Sequence, residues 1–306
     1  MNALKNIPTG VYKALLVVAT IIWGFSFVVM KDVVTVLPPA WLLGMRFLFA
    51  GALLLVILRK RVMRFCSRKV VTYGLILGAL DFTAFWLQTV GLKHTTPGIN
   101  AFLTATYCVL VPFAWWLIAR KRPTAFNIVA AIVAVCGIWL VSVSSSGETL
   151  SIGFGEAMTL GCAVAFAAHI VAVSKFAQKC DALVLTVFQF IAEGALGIIF
   201  GAATETFPGV AAFTPEIIGQ MLFLAVFASV VAFGIQNVSL AHVPPTQASL
   251  LLSLESVFGV VFSILLYGEQ MTLRLVVGFV LIFAAIVISE TLPLKEKPCR
   301  RKTTSS

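Results

Sequence analysis

Charge is scarce in this chain. Only 11 % of its 306 residues are Asp, Glu, Lys or Arg, while 60 % are hydrophobic, more apolar surface than a soluble fold can hide. Three histidines in all, with no H-E-x-x-H and no C-x-x-C spacing, leave little from which to build a metal centre. No paired-carboxylate motif and no nucleophile with a matching base is apparent. No G-x-x-x-x-G-K is present to hold nucleotide phosphates. Cys66, Cys108, Cys136, Cys162, Cys180 and Cys299 read as isolated thiols used as small apolar residues. No metal and no cofactor is expected.

What is present is apolar sequence almost end to end, with a mean hydropathy of +1.04. Crossing ~30 Å of hydrocarbon at 1.5 Å rise takes roughly 20 such residues per helix. Candidate spans fall at about 11–30, 40–58, 70–91, 98–119, 125–143, 153–174, 183–203, 217–237, 246–267 and 271–289. The runs do not alternate as barrel strands would. The expected fold class is all-α: a polytopic membrane protein of ten transmembrane helices, its first span an uncleaved anchor.

The net charge of +10 invites a nucleic-acid partner, but the basic residues sort by side of the membrane. Eighteen of the 22 fall in the N-terminal segment, the loops near 59–69, 120–122 and 175–179, and the tail. Lys31, Lys93 and Arg274 lie on the other side, and Arg46 lies within a span. The positive-inside rule then puts both termini in the cytoplasm of a cell membrane, plasma or bacterial inner, and removes the nucleic-acid reading. The extramembrane loops are too short to fold an ATPase.

The chain resembles itself. At an offset of 148, Ala84, Phe85, Gln88, Val90, Leu92, His94 and Pro97 match Ala232, Phe233, Gln236, Val238, Leu240, His242 and Pro245, seven of fourteen positions. At a slightly different offset, Arg46-Phe-Leu-Phe-Ala-Gly-Ala-Leu53 matches Gln189-Phe-Ile-Ala-Glu-Gly-Ala-Leu196. Residues 1–147 and 148–290 are therefore expected to be five-helix repeats, followed by a basic cytoplasmic tail, 291–306. Five spans is an odd number, so the second repeat enters the membrane inverted, the arrangement that supports alternating access around a midplane site. Gly74 with Gly78, and Gly197 with Gly201, have the spacing of close helix contacts.

The run Ala248-Ser-Leu-Leu-Leu-Ser-Leu-Glu255-Ser-Val-Phe-Gly followed by Tyr267-Gly-Glu269 resembles the last-repeat signature of EamA-type members of the drug/metabolite transporter superfamily. So does Gln88-Thr-Val-Gly-Leu-Lys-His-Thr-Thr96 leading into Ala101-Phe-Leu-Thr-Ala-Thr-Tyr107, with Trp23-Gly24 in the first span. Ser256 departs from it, standing where many relatives have proline. The resemblance covers essentially the whole chain. It implies ten helices in inverted repeats and a central cavity bounded mainly by helices one to four and six to nine. Members carry amino acids, other metabolites and xenobiotics.

Ionisable groups at membrane depth need a partner, water or a proton. Counting helical rise, Asp81 lies ~17 Å into its span, Glu193 ~15 Å and Glu255 ~14 Å, all near the midplane, and Arg46 about one side-chain length from Asp81. These four are candidates for proton coupling or for buried charge pairs. Helical phase puts Asp81, Phe85 and Gln88 on one face, repeated by Ser229, Phe233 and Gln236. Asn100, Thr104 and Tyr107 form another stripe, and the repeat relates Tyr107 to Glu255. Trp23, Phe85, Gln88, Asn100, Thr104, Tyr107, Phe233 and Gln236 are the candidate substrate-binding residues. His169 reads as a packing residue or as part of the route.

The expected function is a secondary-active transporter, exporting a small metabolite such as an amino acid or related compound, with protons as a candidate coupling ion. Its partners are that small molecule and the lipid bilayer, and a monomer suffices. An intramembrane enzyme and a channel are the readings from other classes.

Overall fold

The computed structural model describes residues 8–119, 122–142, 152–177, 179–240, 243 and 251–291. The repeat boundary at 147/148 and the tail beyond 291 lie outside them, as do His242, Pro245, Ala248 and Ser249. The described residues are helical, without strands. The helices are α1 (Thr9–Val36), α2 (Pro39–Ile57), α3 (Arg59–Phe65), α4 (Arg68–His94), α5 (Pro97–Ala105), α6 (Tyr107–Ala119), α7 (Ala125–Ser142), α8 (Phe154–Phe176), α9 (Ala182–Thr204), α10 (Pro215–Phe223), α11 (Ala232–Leu240), α12 (Leu254–Phe262) and α13 (Leu273–Thr291). A π-helical stretch, Leu224–Val231, joins α10 to α11, and another, Ser263–Tyr267, ends α12.

Among the described residues, seven helical stretches are long and apolar enough to cross a membrane. Three shorter apolar helices, Ala125–Val141, Leu254–Tyr267 and Leu273–Ser289, fall on the expected fifth, ninth and tenth spans. The chain is thus an all-helical, polytopic membrane protein. Its outward surface is apolar in the manner a bilayer requires: Ile132, Val135 and Trp139 of α7 are exposed, while Ala130, Ala134, Gly137 and Val141 on the other face are buried.

Local chemistry explains the helix starts. Pro39, Pro97 and Pro215 stand in first turns, where a missing N–H leaves nothing unsatisfied. Ser67, Thr96, Asp181 and Thr214 accept the free N–H of Val70, Ile99, Val184 and Ile217 as N-caps. The fourth expected span is broken. Its backbone tightens at Thr106, whose N–H and hydroxyl both turn back to the Leu103 carbonyl. The same tightening occurs at Ser253, where the Ser256 N–H and hydroxyl both reach the Ser253 carbonyl. Periodicity carries no signal for either break.

Two seams of small residues hold the bundle. Where α2 crosses α9, a Cβ on Gly44 would lie 2.7 Å from the Ile198 nitrogen and one on Gly51 2.9 Å from Ile191, while Gly194 lies against Leu48. Gly74 and Gly78 admit Phe188 and Ala192, and Gly197 meets Gly44 and Gly201 Trp41, so both expected glycine pairs are close contacts. Where α7 crosses α13, Gly137 lies against Ile282 and Gly278 against Val141. The contacts are reciprocal. Adding 143 to 48 and 51 gives 191 and 194, and adding 141 to 137 and 141 gives 278 and 282. Around these seams lie two apolar clusters, one centred on α2, α4 and α9, the other on α5–α7, α12 and α13.

Gly44→Leu should overfill its seam and lower stability by about 1 to 3 kcal/mol, whereas Val135→Leu on the exposed rim should change little. Thermal unfolding of both variants in detergent, followed by size exclusion, checks this. Asp181 caps α9 and takes a bidentate contact from Arg61 at 2.8 to 3.1 Å. Burial alone would push this carboxyl up, but the Arg61 hydrogen bonds, backbone N–H groups and guanidinium charge hold it below the usual carboxylate value. A depressed carboxyl stabilises the fold above its unfolded pKa, and that contribution is lost as pH falls through the folded value. Asp181→Ala should cost about 1 kcal/mol at neutral pH, and its deficit against the native protein should shrink in acid.

Candidate functional site

The two breaks place the site. Tyr107 follows the turn at Thr106, and Glu255 follows the turn at Ser253. The Tyr107 hydroxyl donates to Glu255 Oε1 at 3.3 Å, across a separation of 148 residues, the same offset that aligns 84–97 with 232–245. The two positions related by this offset are thus in direct contact. It sits where the two apolar clusters meet, with the Tyr107 ring 6.1 Å from Phe166 of α8.

From Phe166 a chain of six rings crosses the bundle: Phe166, Phe85, Phe47, Phe190, Phe233 and Trp23, with successive centroids 5.1, 5.1, 5.3, 5.2 and 5.4 Å apart. It is a palindrome. Phe47 and Phe190, like Trp23 and Phe166, differ by 143, and Phe85 and Phe233 by 148, so reading from either end meets corresponding positions. Offset, tilted and edge-on aromatic contacts of this kind are worth about 0.5–1.5 kcal/mol each beyond their burial. Trp23, Phe166 and Phe233 are half-buried, whereas Phe47 and Phe190 are fully buried. The Trp23 indole N–H donates to the Ala228 carbonyl in the π-helical stretch at 2.8 Å. Stretches of this geometry recur at functional positions.

The expected polar stripe divides. Gln88 donates to Thr104 at 3.2 Å, and Asn100 donates to the Gln88 carbonyl at 3.2 Å and to Thr159 at 2.7 Å. These three side chains are buried and tie α4, α5 and α8 together. Gln236, one turn beyond Phe233 on α11, is half-buried. Trp23, Tyr107, Phe233 and Gln236 therefore retain accessible surface, and Gln88, Asn100 and Thr104 stand behind them.

The buried charges pair differently from the direct Arg46–Asp81 contact that their depths suggest. Arg46 donates through Nε to Ser229 at 3.0 Å, with its guanidinium 4.7 Å from the Phe47 ring centre and 5.3 Å from that of Phe85. Asp81 accepts from Gln189 at 2.6 Å and lies 3.6 Å from His169 Nδ1. The two bonds correspond under the repeat, since Asp81 aligns with Ser229 and Arg46 with Gln189. Each residue bonds the counterpart of the other. Glu193 is fully buried beside Asp81 and Arg46, and neither carboxyl oxygen has a hydrogen-bond partner.

A second set of polar contacts, beyond the sequence reading, closes the end of the bundle opposite Asp181. Lys31 donates to the carbonyls of Leu92, Lys93 and Thr95 at 2.7, 3.1 and 2.7 Å, a cation on the C-terminus of α4. Glu269 accepts from Thr96 and Ser263 hydroxyls at 2.5 Å and from Gly98 N–H at 3.1 Å, a carboxylate on the N-terminus of α5. Glu205 takes the N–H of Ala40 at 3.0 Å at the start of α2, and Glu156 accepts from Thr95 at 2.8 Å. Glutamates of the second half thus hold helix ends of the first.

The family model of the EamA-like transporter family matches residues 12–143 and 153–291. An "Uncharacterized transporter" of Archaeoglobus fulgidus is 28 % identical over 273 residues, 89 % of this chain and 83 % of that protein. "Uncharacterized transporter YvbV" of Bacillus subtilis is 26 % identical over 292 residues, 94 % of each chain. A "Probable amino-acid metabolite efflux pump" of Salmonella typhimurium is 22 % identical over 293 residues, 91 % of this chain and 93 % of its own length. A solved chain described only as "Crystal structure of protein" aligns with a TM-score of 0.66 and 17 % identity over 92 % of this chain and 98 % of that one, a likeness of fold alone. With the family model matched along both halves of an apolar helical bundle, the chain belongs to the EamA-like transporter family.

Proposed function

We propose that this protein is a secondary-active exporter of a small metabolite, an amino acid or related compound, working by alternating access between two inverted five-helix repeats. The observation that carries the reading is the Tyr107–Glu255 hydrogen bond. Two residues at corresponding positions of two repeats touch each other only on the axis that relates those repeats, so a carboxylate and a phenol stand on the axis of a bundle at membrane depth. The reciprocal glycine seams and palindromic rings support the same axis, and the family model matching both halves supports the repeats. Broken helices around a midplane site are the recurring construction of such transporters. The efflux pump among the relatives supports export and the substrate class. The names of the relatives favour transport over an intramembrane enzyme.

In this reading Trp23, Phe233, Tyr107 and Gln236 face the substrate, Glu255 exchanges a proton for it, and the contacts of Lys31, Glu156, Glu205 and Glu269 close the outer end. Ten spans with both termini cytoplasmic follow from the same topology. Single cysteines at Lys60 and Lys121 should then be labelled from the cytoplasmic side and one at Lys93 from outside. Labelling of all three from one side would sink the ten-span arrangement.

Gln236→Leu should weaken substrate affinity several-fold with normal protein abundance, because a polar group on an apolar wall orients the ligand. Gln88→Leu should instead lower abundance, since it leaves Thr104 without its donor. Glu255→Gln keeps the Tyr107 contact and removes the exchangeable proton. In proteoliposomes it should abolish flux driven by a pH gradient and retain substrate exchange at equal pH. Gradient-driven flux that survives the substitution would assign the proton to another group.

A further inference from the structure

The acceptors around Asp81 outnumber their donors. Asp81 of α4 uses Oδ2 for the Gln189 amide at 2.6 Å, but Oδ1 has no hydrogen-bond partner. Glu193 comes from α9, one turn beyond Gln189. It is brought close because Gly78 lets the α9 backbone approach α4 at Gln189, Ala192 and Glu193. Glu193 thus stands one turn from the residue that bonds Asp81, on the helix packed closely against α4, and both its carboxyl oxygens are buried without a donor. Both side chains are 0 % exposed. Buried polar atoms in folded proteins are nearly always paired, and three bare acceptor oxygens on two closely packed helices break that rule unless a hydrogen is shared among them.

The neighbouring groups do not supply it. From α2, Arg46 spends Nε on Ser229 and directs Nη1 to Met30 Sδ at 3.7 Å. From α8, His169 approaches Asp81 Oδ1 no closer than 3.6 Å through Nδ1, and its Nε2 is itself unpartnered and buried. Cys162 on the same helix sits 4.0 Å from Thr104. From the π-helical stretch, Ser229 donates to Leu224. Charge counting reaches the same place. Arg46 balances one carboxylate, and a second ionised carboxylate would leave an uncompensated charge in the interior.

Packing alone does not call for these acids. The positions that correspond to Asp81, Glu193 and His169 at the offsets of 148 and 143 are Ser229, Ala50 and Ser26, all neutral. The architecture is satisfied without ionisable groups, so their presence on one side only is a chemical feature.

We propose that Asp81 and Glu193 share a single proton, forming a buried proton-binding site separate from Glu255, with Arg46 as its counter-charge and His169 as the group that faces it from α8. Phe166, one turn from His169 on the same helix, contacts Phe85 and Tyr107, so His169 stands between the ring chain and the acid pair. What the proton does in the cycle rests on the transport reading; its presence does not.

The test is infrared spectroscopy of the purified protein at neutral pH, in light and heavy water, in a Glu255→Gln background that removes the acid on the axis. A carboxylic-acid carbonyl band that shifts on deuteration should persist in that background. It should disappear when Glu193→Gln is added, because the amide then donates to an ionised Asp81 balanced by Arg46. Asp81→Asn should remove it equally, by letting Glu193 accept from the new amide, and it decides the matter if the first variant does not purify. Absence of the band from the Glu255→Gln protein, or its survival in either double variant, would overturn the shared proton. Neither result depends on substrate flux, so failure here leaves the transporter reading standing.

Discussion

Water does not hydrogen-bond to the protein in the middle of a bilayer, so each polar group placed there has to be answered by another group of the chain. This constraint orders the structure. The side chains of Arg46, Asp81, Gln88, Asn100, Thr104, Gln189 and Ser229 all lie buried between helices, and nearly all of their bonds cross from one helix to another. Such bonds need helices closer than large side chains allow. The glycine seams supply that approach: Gly78 lets α9 bring Gln189 and Glu193 against Asp81, and Gly44 and Gly51 let α2 settle against α9 with Arg46 turned toward the π-helical stretch. Helix ends carry the same burden at the face of the bundle, where Lys31, Glu205 and Glu269 answer backbone groups that no helix can satisfy internally.

Much of this was legible in the sequence, for a physical reason. Spans are set by apolar length and closely packed glycines by small-residue spacing, both local properties. The offset of 148 related Tyr107 to Glu255 in the sequence, and their contact followed only from the fold. The two alignments, one at 148 for α4 and the π-helical stretch and one at 143 for α2 and α9, make the Arg46–Ser229 and Asp81–Gln189 bonds equivalent, but that these helices meet came only from the fold. Depth alone pointed to an Arg46–Asp81 pair, because helical rise measures height and says nothing about which helices are neighbours. Phe47 and Phe190 stood in the 143-residue alignment, and their place in the ring chain followed only from the crossing of α2 and α9.

What stayed hidden depends on backbone irregularity and on which helix ends meet. The breaks at Thr106 and Ser253 carry no periodicity signal, and a π-helical stretch leaves the hydrophobic pattern almost unchanged. The contacts of Glu269 and Glu205 join residues more than 160 positions apart. Among their partners are the backbone N–H groups of Gly98 and Ala40, which no side-chain pattern can announce.

The aromatic and ionisable groups obey the architecture in different ways. The ring chain meets corresponding positions from either end, with Trp23 answering Phe166 and Phe85 answering Phe233, so in the proposed exchange between inverted halves a substrate would meet similar apolar walls from both sides. The acids are not duplicated: Asp81, Glu193 and His169 face Ser, Ala and Ser at the corresponding places. Under such an exchange the rings keep their surroundings while the acids change theirs, because no second set takes over the position they leave. On the proposed alternating-access reading, symmetric walls and asymmetric charge would separate two tasks on one scaffold. Substrate fit would fall to the aromatic positions that recur at both offsets, and the response to protons to the acids that do not recur.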